Sequence, residues 1–308
     1  MGIFFALIAL FSWGAGDFLI QKSVRRVAKF RFRQLFFPDK TRQYANLVVL
    51  FYIVLIGSLV LLPFIVKDLG FLFQSGAFLK WGILILASLT LLFAAVFDFQ
   101  ALKIGKLAVV EPILSFEIPV TALAAFIFIK ERLELWQILL VACIFIGIFL
   151  ISIQSFKDFK TKNFRLEKGV IYVIAATLMM GLANFLVGLS ARETSPLLIN
   201  WFLNVFILIS LFIFLSLKSQ LKVLVASNTR EHKRLIFVTA LIDNTAWIAY
   251  AYSVLYLPMA IALGITESYI ALAAILGLVV NKEKLKPHQL IGLIVTVTMA
   301  VILILMVF

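Results

Sequence analysis

A run of about 20 apolar residues, wound as an α-helix, crosses roughly 30 Å of hydrocarbon. This chain carries such runs from end to end, at residues 2–21, 44–66, 81–101, 107–129, 134–154, 169–189, 197–217, 235–256, 259–280 and 287–307. In hydrocarbon every backbone N–H and C=O needs a partner within the protein, and a helix supplies it locally. The reading is therefore all-α: a polytopic protein of the cell membrane with ten transmembrane helices. Most connections are short, so consecutive helices are expected to be antiparallel neighbours. The longest polar segment, 22–43, is too short for a soluble domain, which leaves function to the bundle itself.

Composition serves mainly to exclude. Of 308 residues, 64% are hydrophobic and 14% charged, against roughly half and a quarter in a soluble domain. A net charge of +13 would suit nucleic acid, but Lys and Arg cluster in the segments between runs. That placement points to membrane lipid as the partner, and not to nucleic acid. The one cysteine, Cys143, lies inside an apolar run, and His232 and His288 fall in loops. No zinc site follows, and no cofactor is expected. An ATP-driven pump would want a G-x-x-x-x-G-K-[ST] phosphate loop and room for a nucleotide domain, and the sequence has neither. An intramembrane enzyme would want a histidine pair, an activated nucleophile or a metal cluster within the spans. The first run lacks a basic leader and an A-x-A-like cleavage site, so it reads as a retained helix and not as a signal peptide.

Of the 28 Lys and Arg, 23 lie in the odd-numbered loops and 5 in the even-numbered ones. By the positive-inside rule the odd loops read as cytoplasmic, with both termini outside. The first loop is the most basic. Val24, Val27, Ala28, Phe32, Leu35 and Phe36 follow helical spacing there, with Arg25, Arg26, Lys29 and Arg33 off the stripe. Such a segment is expected to lie in the headgroup plane as an amphipathic helix.

The two halves resemble each other. Residues 2–25 align without gaps on 169–192, matching Gly14 to Gly181, Phe18 to Phe185, Leu19 to Leu186 and Arg25 to Arg192, with Asp17 opposite Asn184. K-E-R-L-E-L-W-Q at 130–137 aligns with K-E-K-L-K-P-H-Q at 282–289. Residues 1–156 and 157–308 thus read as two five-helix repeats. Five is odd, so the second copy must cross the membrane in the opposite sense. Two inverted five-helix repeats suit alternating access, because exchanging their conformations turns an outward-open state into an inward-open one.

The motifs also carry a resemblance. A first helix with W-G at Trp13 and Gly14, and a fourth helix with Pro119 followed by K-E-R-L, resemble the EamA-type family of the drug/metabolite transporter superfamily. The second half repeats the theme from Thr266 to Gln289, with Ala271 where the proline would be. The resemblance spans nearly the whole chain. It implies secondary transport of small metabolites, often export, through a cavity between the halves. The long basic first loop departs from the family pattern. The resemblance also implies cytoplasmic termini, opposite to the charge count.

A charge near the bilayer centre is costly and usually faces a bundle interior or a water-filled cavity. The candidate residues are therefore the acids within the spans. Glu117 falls at the middle of the fourth run, Glu267 near the middle of the ninth and Asp243 near that of the eighth. These three are candidates for substrate coordination or proton coupling, against the alternative of a carboxyl bonded to a neighbouring helix. Asp98 and Glu111 fall nearer one surface, where Asp98 is a candidate for the same roles, against the alternative of pairing with Lys103 or Lys106 in the adjoining loop. Asp243, Trp247 and Tyr250 share one helix face, where an acid beside aromatic rings would suit an amine. Trp13, Asp17 and Asn184 are candidates for the same cavity. Gly14, Gly16 and Gly181 suit close helix approach, and Pro112, Pro119 and Pro258 suit kinks or boundaries. Glu131 and Glu283 read as partners of nearby Lys and Arg.

The expected function is a secondary active transporter exporting a small polar metabolite, an amino acid or amine-like compound, with the proton as candidate coupling ion. The alternatives are a nucleotide-sugar or drug carrier, and a membrane receptor or structural protein without transport. Orientation is directly testable. Cysteines placed in 22–43 and 218–234 should stay unlabelled by a membrane-impermeant maleimide in intact cells. Rapid labelling of both would reverse the orientation.

Overall fold

The computed structural model describes residues 1–29, 38–73, 77–129, 135–153, 166–221, 224, 230–257 and 259–306. The ten apolar runs all fold as helix, though two of them are interrupted. In chain order the elements are α1 (Gly2–Lys29), α2 (Pro38–Ile65), a 3-10 turn (Leu69–Phe73), α3 (Ala77–Ile104), α4 (Leu107–Leu114), α5 (Glu117–Ile129) and α6 (Leu135–Ser152). They continue as α7 (Val170–Glu193), α8 (Pro196–Leu217), α9 (Arg230–Tyr256), α10 (Met259–Glu267), α11 (Tyr269–Val279) and α12 (Pro287–Met306). Among the described residues, α1, α2, α3, α7, α8 and α9 are each long and apolar enough to cross a membrane. Phe4, Phe11, Phe64, Phe93 and Phe212 stand exposed on their outer faces, as lipid contact requires.

The two halves interleave. α1 lies along α9 and α3 along α7, while α2 packs on α8, α6 on α12, α4 on α11 and α5 on α7. Most helix neighbours therefore come from opposite halves of the chain.

The fourth run divides into α4 and α5 for a local reason. Pro119 has no N–H to give to Ser115 O, so Ile118 N donates there instead at 3.2 Å. Phe116 N likewise donates three residues back, to Ile113 O at 3.2 Å. These shorter-range bonds tighten the chain into 3-10-type turns at the join. The ninth run divides at Ser268, whose N–H reaches Ile265 O at 3.3 Å, with no proline involved. The spacing that carries Glu131 onto Glu283 also carries Ser115 and Phe116 onto Glu267 and Ser268. The two interruptions thus fall at equivalent positions.

The basic first loop differs from expectation at its start. α1 runs on to Lys29 with Ser23, Val24 and Val27 buried, so these residues extend a membrane helix and do not begin a separate one in the headgroup plane. Phe32, Leu35 and Phe36 of the expected stripe lie outside the described residues, as does Glu131.

Two glycines set how closely the interrupted helices are approached. A Cβ on Gly14 of α1 would meet Leu272 of α11 at 2.7 Å, and one on Gly181 of α7 would meet Val120 of α5 at 2.6 Å. Leu272 and Val120 are themselves equivalent at the same spacing. A Cβ on Gly181 would also press Glu117 O at 2.9 Å, where backbone has no rotamer to escape into. Gly181→Ala should therefore destabilise the purified protein by about 1–3 kcal/mol, the usual cost of overpacking, read as a lowered Tm. Gly82→Ala, where nothing lies within 4 Å, should leave Tm unchanged.

Candidate functional site

Where the interrupted helices meet, their joins deliver two acids. Glu117 is the first residue of α5, where the helix dipole favours negative charge, and Glu267 is the last of α10, two positions ahead of Tyr269 and the start of α11. The two side chains hydrogen-bond each other. A carboxyl pair can do this only when one member keeps a proton to donate. Asn184 of α7 donates its Nδ2 to Glu117 Oε2 at 3.3 Å, and Tyr250 Oη donates to Asn184 O at 3.1 Å. The two glutamates, out of register by sequence, are brought together because each flanks its join on the opposite side.

A central cavity of about 70 Å³ opens beside this pair. Asp17 of α1, Asp98 of α3 and Asp243 of α9 line it together with Glu117, Glu267 and Asn184. Asp17 also hydrogen-bonds Tyr269 at the start of α11. Trp13, Trp247 and Tyr269 supply the aromatic wall. The Trp13 ring meets Trp247 edge-on at 5.2 Å between centroids and Tyr269 at 5.8 Å. Tyr250 lies behind that wall, fully buried, 5.6 Å from the Trp13 ring.

Of the acids expected near one surface, Asp98 reaches the cavity and Glu111 does not. Glu111 is completely buried, with neither carboxyl oxygen hydrogen-bonded. Lys106 goes instead to Glu167, 3.5 Å away, and to Lys284 O at 3.0 Å.

Apart from Asn184, the amides of the cavity were not singled out by sequence reasoning. Asn200 and Asn204 sit one turn apart on α8, and Asn244 lies next to Asp243. Asn204 Nδ2 donates to Asn244 Oδ1 at 2.7 Å, and Asn244 Nδ2 donates to Ala240 O at 2.8 Å. The signal was available, since polar residues within an apolar span are rare and seldom face lipid. Tyr269 was also legible, as the repeat position opposite Glu117. Among the described residues no cluster of three or more His, Cys, Asp or Glu is arranged to hold a metal ion.

The ends of the bundle are tied by polar groups outside the cavity. Arg25, near the end of α1, donates to Leu102 O at 3.3 Å and to Gly105 O. Arg192, near the end of α7, donates to Val254 O at 3.0 Å and Leu257 O at 3.2 Å. Leu102 and Gly105 map onto Val254 and Leu257 at the repeat spacing, so both arginines make the same bonds in their own halves. Each caps the carbonyl end of a long helix. Glu283 differs from expectation: it does not simply pair with basic neighbours but caps α4, accepting from Leu107 N at 2.9 Å and Ala108 N at 2.8 Å. The preceding residue, Lys106, provides no side-chain cap.

A model of the EamA-like transporter family matches residues 1–153 and 167–306. A solved structure described only as the crystal structure of a protein is similar over 99% of this chain and 98% of its own. Its TM-score is 0.59 at 14% sequence identity, a likeness that shows the fold alone. No curated protein matches the chain.

The Glu283 bond can be tested in isolation. Glu283→Gln preserves shape but leaves one acceptor oxygen for two N–H groups. It should cost about 1 kcal/mol, as losing a helix cap does, and speed hydrogen exchange at Leu107 and Ala108. Unchanged exchange there would show that the cap contributes nothing.

Proposed function

Because the chain belongs to the EamA-like transporter family, making it a multi-pass membrane transporter and not an enzyme, we propose that it is a secondary active carrier working by alternating access. Its cargo is a small polar metabolite, an amino acid or amine-like compound, moved outward through the central cavity with protons as the coupling ion. Residues 1–156 and 157–308 act as inverted five-helix repeats. The paired joins, the paired arginine bonds and the Gly14–Leu272 and Gly181–Val120 contacts support that division.

The observation that carries the reading is the meeting of Glu117 and Glu267 at the crossing of two interrupted helices, one from each half. Half-helix ends at the centre of a repeat interface are where carriers place substrate and coupling ions. A hydrogen-bonded carboxyl pair holds a proton that substrate can displace. Asp17, Asp98 and Asp243 extend the polar surface, and Trp13, Trp247 and Asn184 give it shape, with Tyr250 holding Asn184 from behind.

The test uses proteoliposomes under an imposed pH gradient and a panel of radiolabelled amines and amino acids. Wild type should accumulate at least one compound uphill. Glu117→Gln and Glu267→Gln should each lose that accumulation by about tenfold or more, the equivalent of about 1.4 kcal/mol, while keeping exchange down a gradient. Variants that match wild type in both rate and affinity would remove the glutamates from the mechanism. Absence of saturable uptake by wild type across the panel would favour a receptor or structural role.

A further inference from the structure

We infer that the cavity is built for an organic cation bearing two or more ammonium groups, a short diamine or a longer homologue, and not for a zwitterion or an anion. This rests on the carrier reading and names the class of its cargo.

The first ground is the charge of the wall. Five carboxyl groups line the cavity, from Asp17, Asp98, Glu117, Asp243 and Glu267, and no Lys, Arg or His among the described residues joins them. A carboxylate of the cargo would find no cation to meet it there. Five acids around one poorly solvated space repel one another, and each needs a proton or a counter-charge. A multivalent cation supplies several counter-charges while losing translational freedom once.

The second ground is the balance of donors and acceptors. Asp98 Oδ1, Glu267 Oε2 and Asn184 Oδ1 are buried and have no hydrogen-bond partner, and all three residues line the cavity. Their side chains are at most 4% exposed, so bulk water does not complete them. Each amide nitrogen nearby already donates within the protein. Asn184 Nδ2 goes to Glu117, Asn200 Nδ2 to Pro196 O at 2.7 Å, Asn204 Nδ2 to Asn244, and Asn244 Nδ2 to Ala240 O. The site therefore presents open carboxyl and amide acceptors. An ammonium group, with three donors and no acceptor, complements that pattern.

The third ground is the arrangement. Glu117 and Glu267 meet at the helix crossing, and Asp17, Asp98 and Asp243 of α1, α3 and α9 line the same cavity. Trp13, Trp247 and Tyr269 flank the same space, and their ring faces attract cations. One ammonium offers a single counter-charge to five carboxyl groups. A second ammonium on a short apolar chain adds another, with the methylenes against the indoles.

The experiment measures binding to the full-length protein in nanodiscs at neutral pH and matched ionic strength, by calorimetry and thermal shift. The probes are putrescine, butylamine, γ-aminobutyrate and succinate, with magnesium chloride as a control for charge screening. Putrescine should bind about tenfold or more tightly than butylamine, and γ-aminobutyrate and succinate should bind more weakly than either amine. Asp98→Asn and Asp243→Asn should bring the putrescine-to-butylamine ratio towards one while butylamine still binds. If γ-aminobutyrate binds as well as putrescine, if neither amine binds, or if magnesium stabilises equally, the inference is overturned. The ligand panel on wild type decides the matter even if the variants fail to fold. The two readings fail differently. Saturable exchange of γ-aminobutyrate or succinate without putrescine binding overturns the cation and keeps the carrier. Putrescine bound but not exchanged keeps the cation site and overturns the carrier.

Discussion

A backbone N–H or C=O left unbonded in hydrocarbon costs several kcal/mol, and this chain nevertheless interrupts two of its helices in mid-span. The arrangement around the cavity answers that cost. At the first join the released carbonyls are taken up by bonds three residues long, and Ser115 Oγ donates to Pro112 O at 2.6 Å. At the second, Thr266 Oγ1 donates to Leu263 O at 2.9 Å. Thr121 Oγ1 reaches across to Gly181 O at 2.8 Å, fixing α5 against α7. The outer end of α4 has no cap of its own, and Glu283 supplies one from the other half of the chain. Because the joins are satisfied locally, they can point carboxyl groups inward.

Electrostatics then determines what those joins can do. Glu117 sits at the start of α5, where the helix dipole favours negative charge, and Glu267 at the end of α10, where it does not. The two are close enough to share a hydrogen bond. Asn184 stabilises the pair by donating to Glu117, and Tyr250 holds the Asn184 backbone. Attraction of Glu117 to its dipole and repulsion between the two acids oppose each other at one point. A site balanced in that way responds strongly to an added cation or a removed proton. This favours a carrier over a fixed structural bond, which would have paired each acid with a base.

The sequence made the helices and the repeat legible because both are written in local patterns. Apolar runs located the helical segments, though α1, α2 and α9 extend five to eight residues beyond theirs, and the K-E-x-L spacing aligned 130–137 with 282–289. Intramembrane acids pointed to the cavity residues because an unpaired acid is costly wherever a helix spans. Other features depended on three-dimensional contact. Nothing local distinguishes Asp98, which reaches the cavity, from Glu111, which does not. Glu283 read as a surface partner of lysines because the two donors it accepts from, the N–H groups of Leu107 and Ala108, lie 176 and 175 positions away in sequence. Ala271 gave no sign that the ninth run would divide, since the proline that explains the first interruption is missing from the second. The basic first loop misled in the opposite way. Its helical stripe was real, but burial of Val24 and Val27 assigned its beginning to α1.

The polar bonds at the two ends of the bundle fall into two kinds, and the difference bears on how such a carrier would move. Arg25 and Arg192 bond within their own halves, to equivalent carbonyls, and do so identically although α1 and α7 end at opposite faces of the bundle. An interaction made in both copies at once does not discriminate between a state open at one end and a state open at the other. These arginines therefore define rigid units, tying α1 to α3 and α7 to α9. Glu283 instead joins the second half to α4 of the first. Hydrogen bonds to a charged group contribute about 1.5–3 kcal/mol each, so this pair is a substantial part of what holds α4 against the second half.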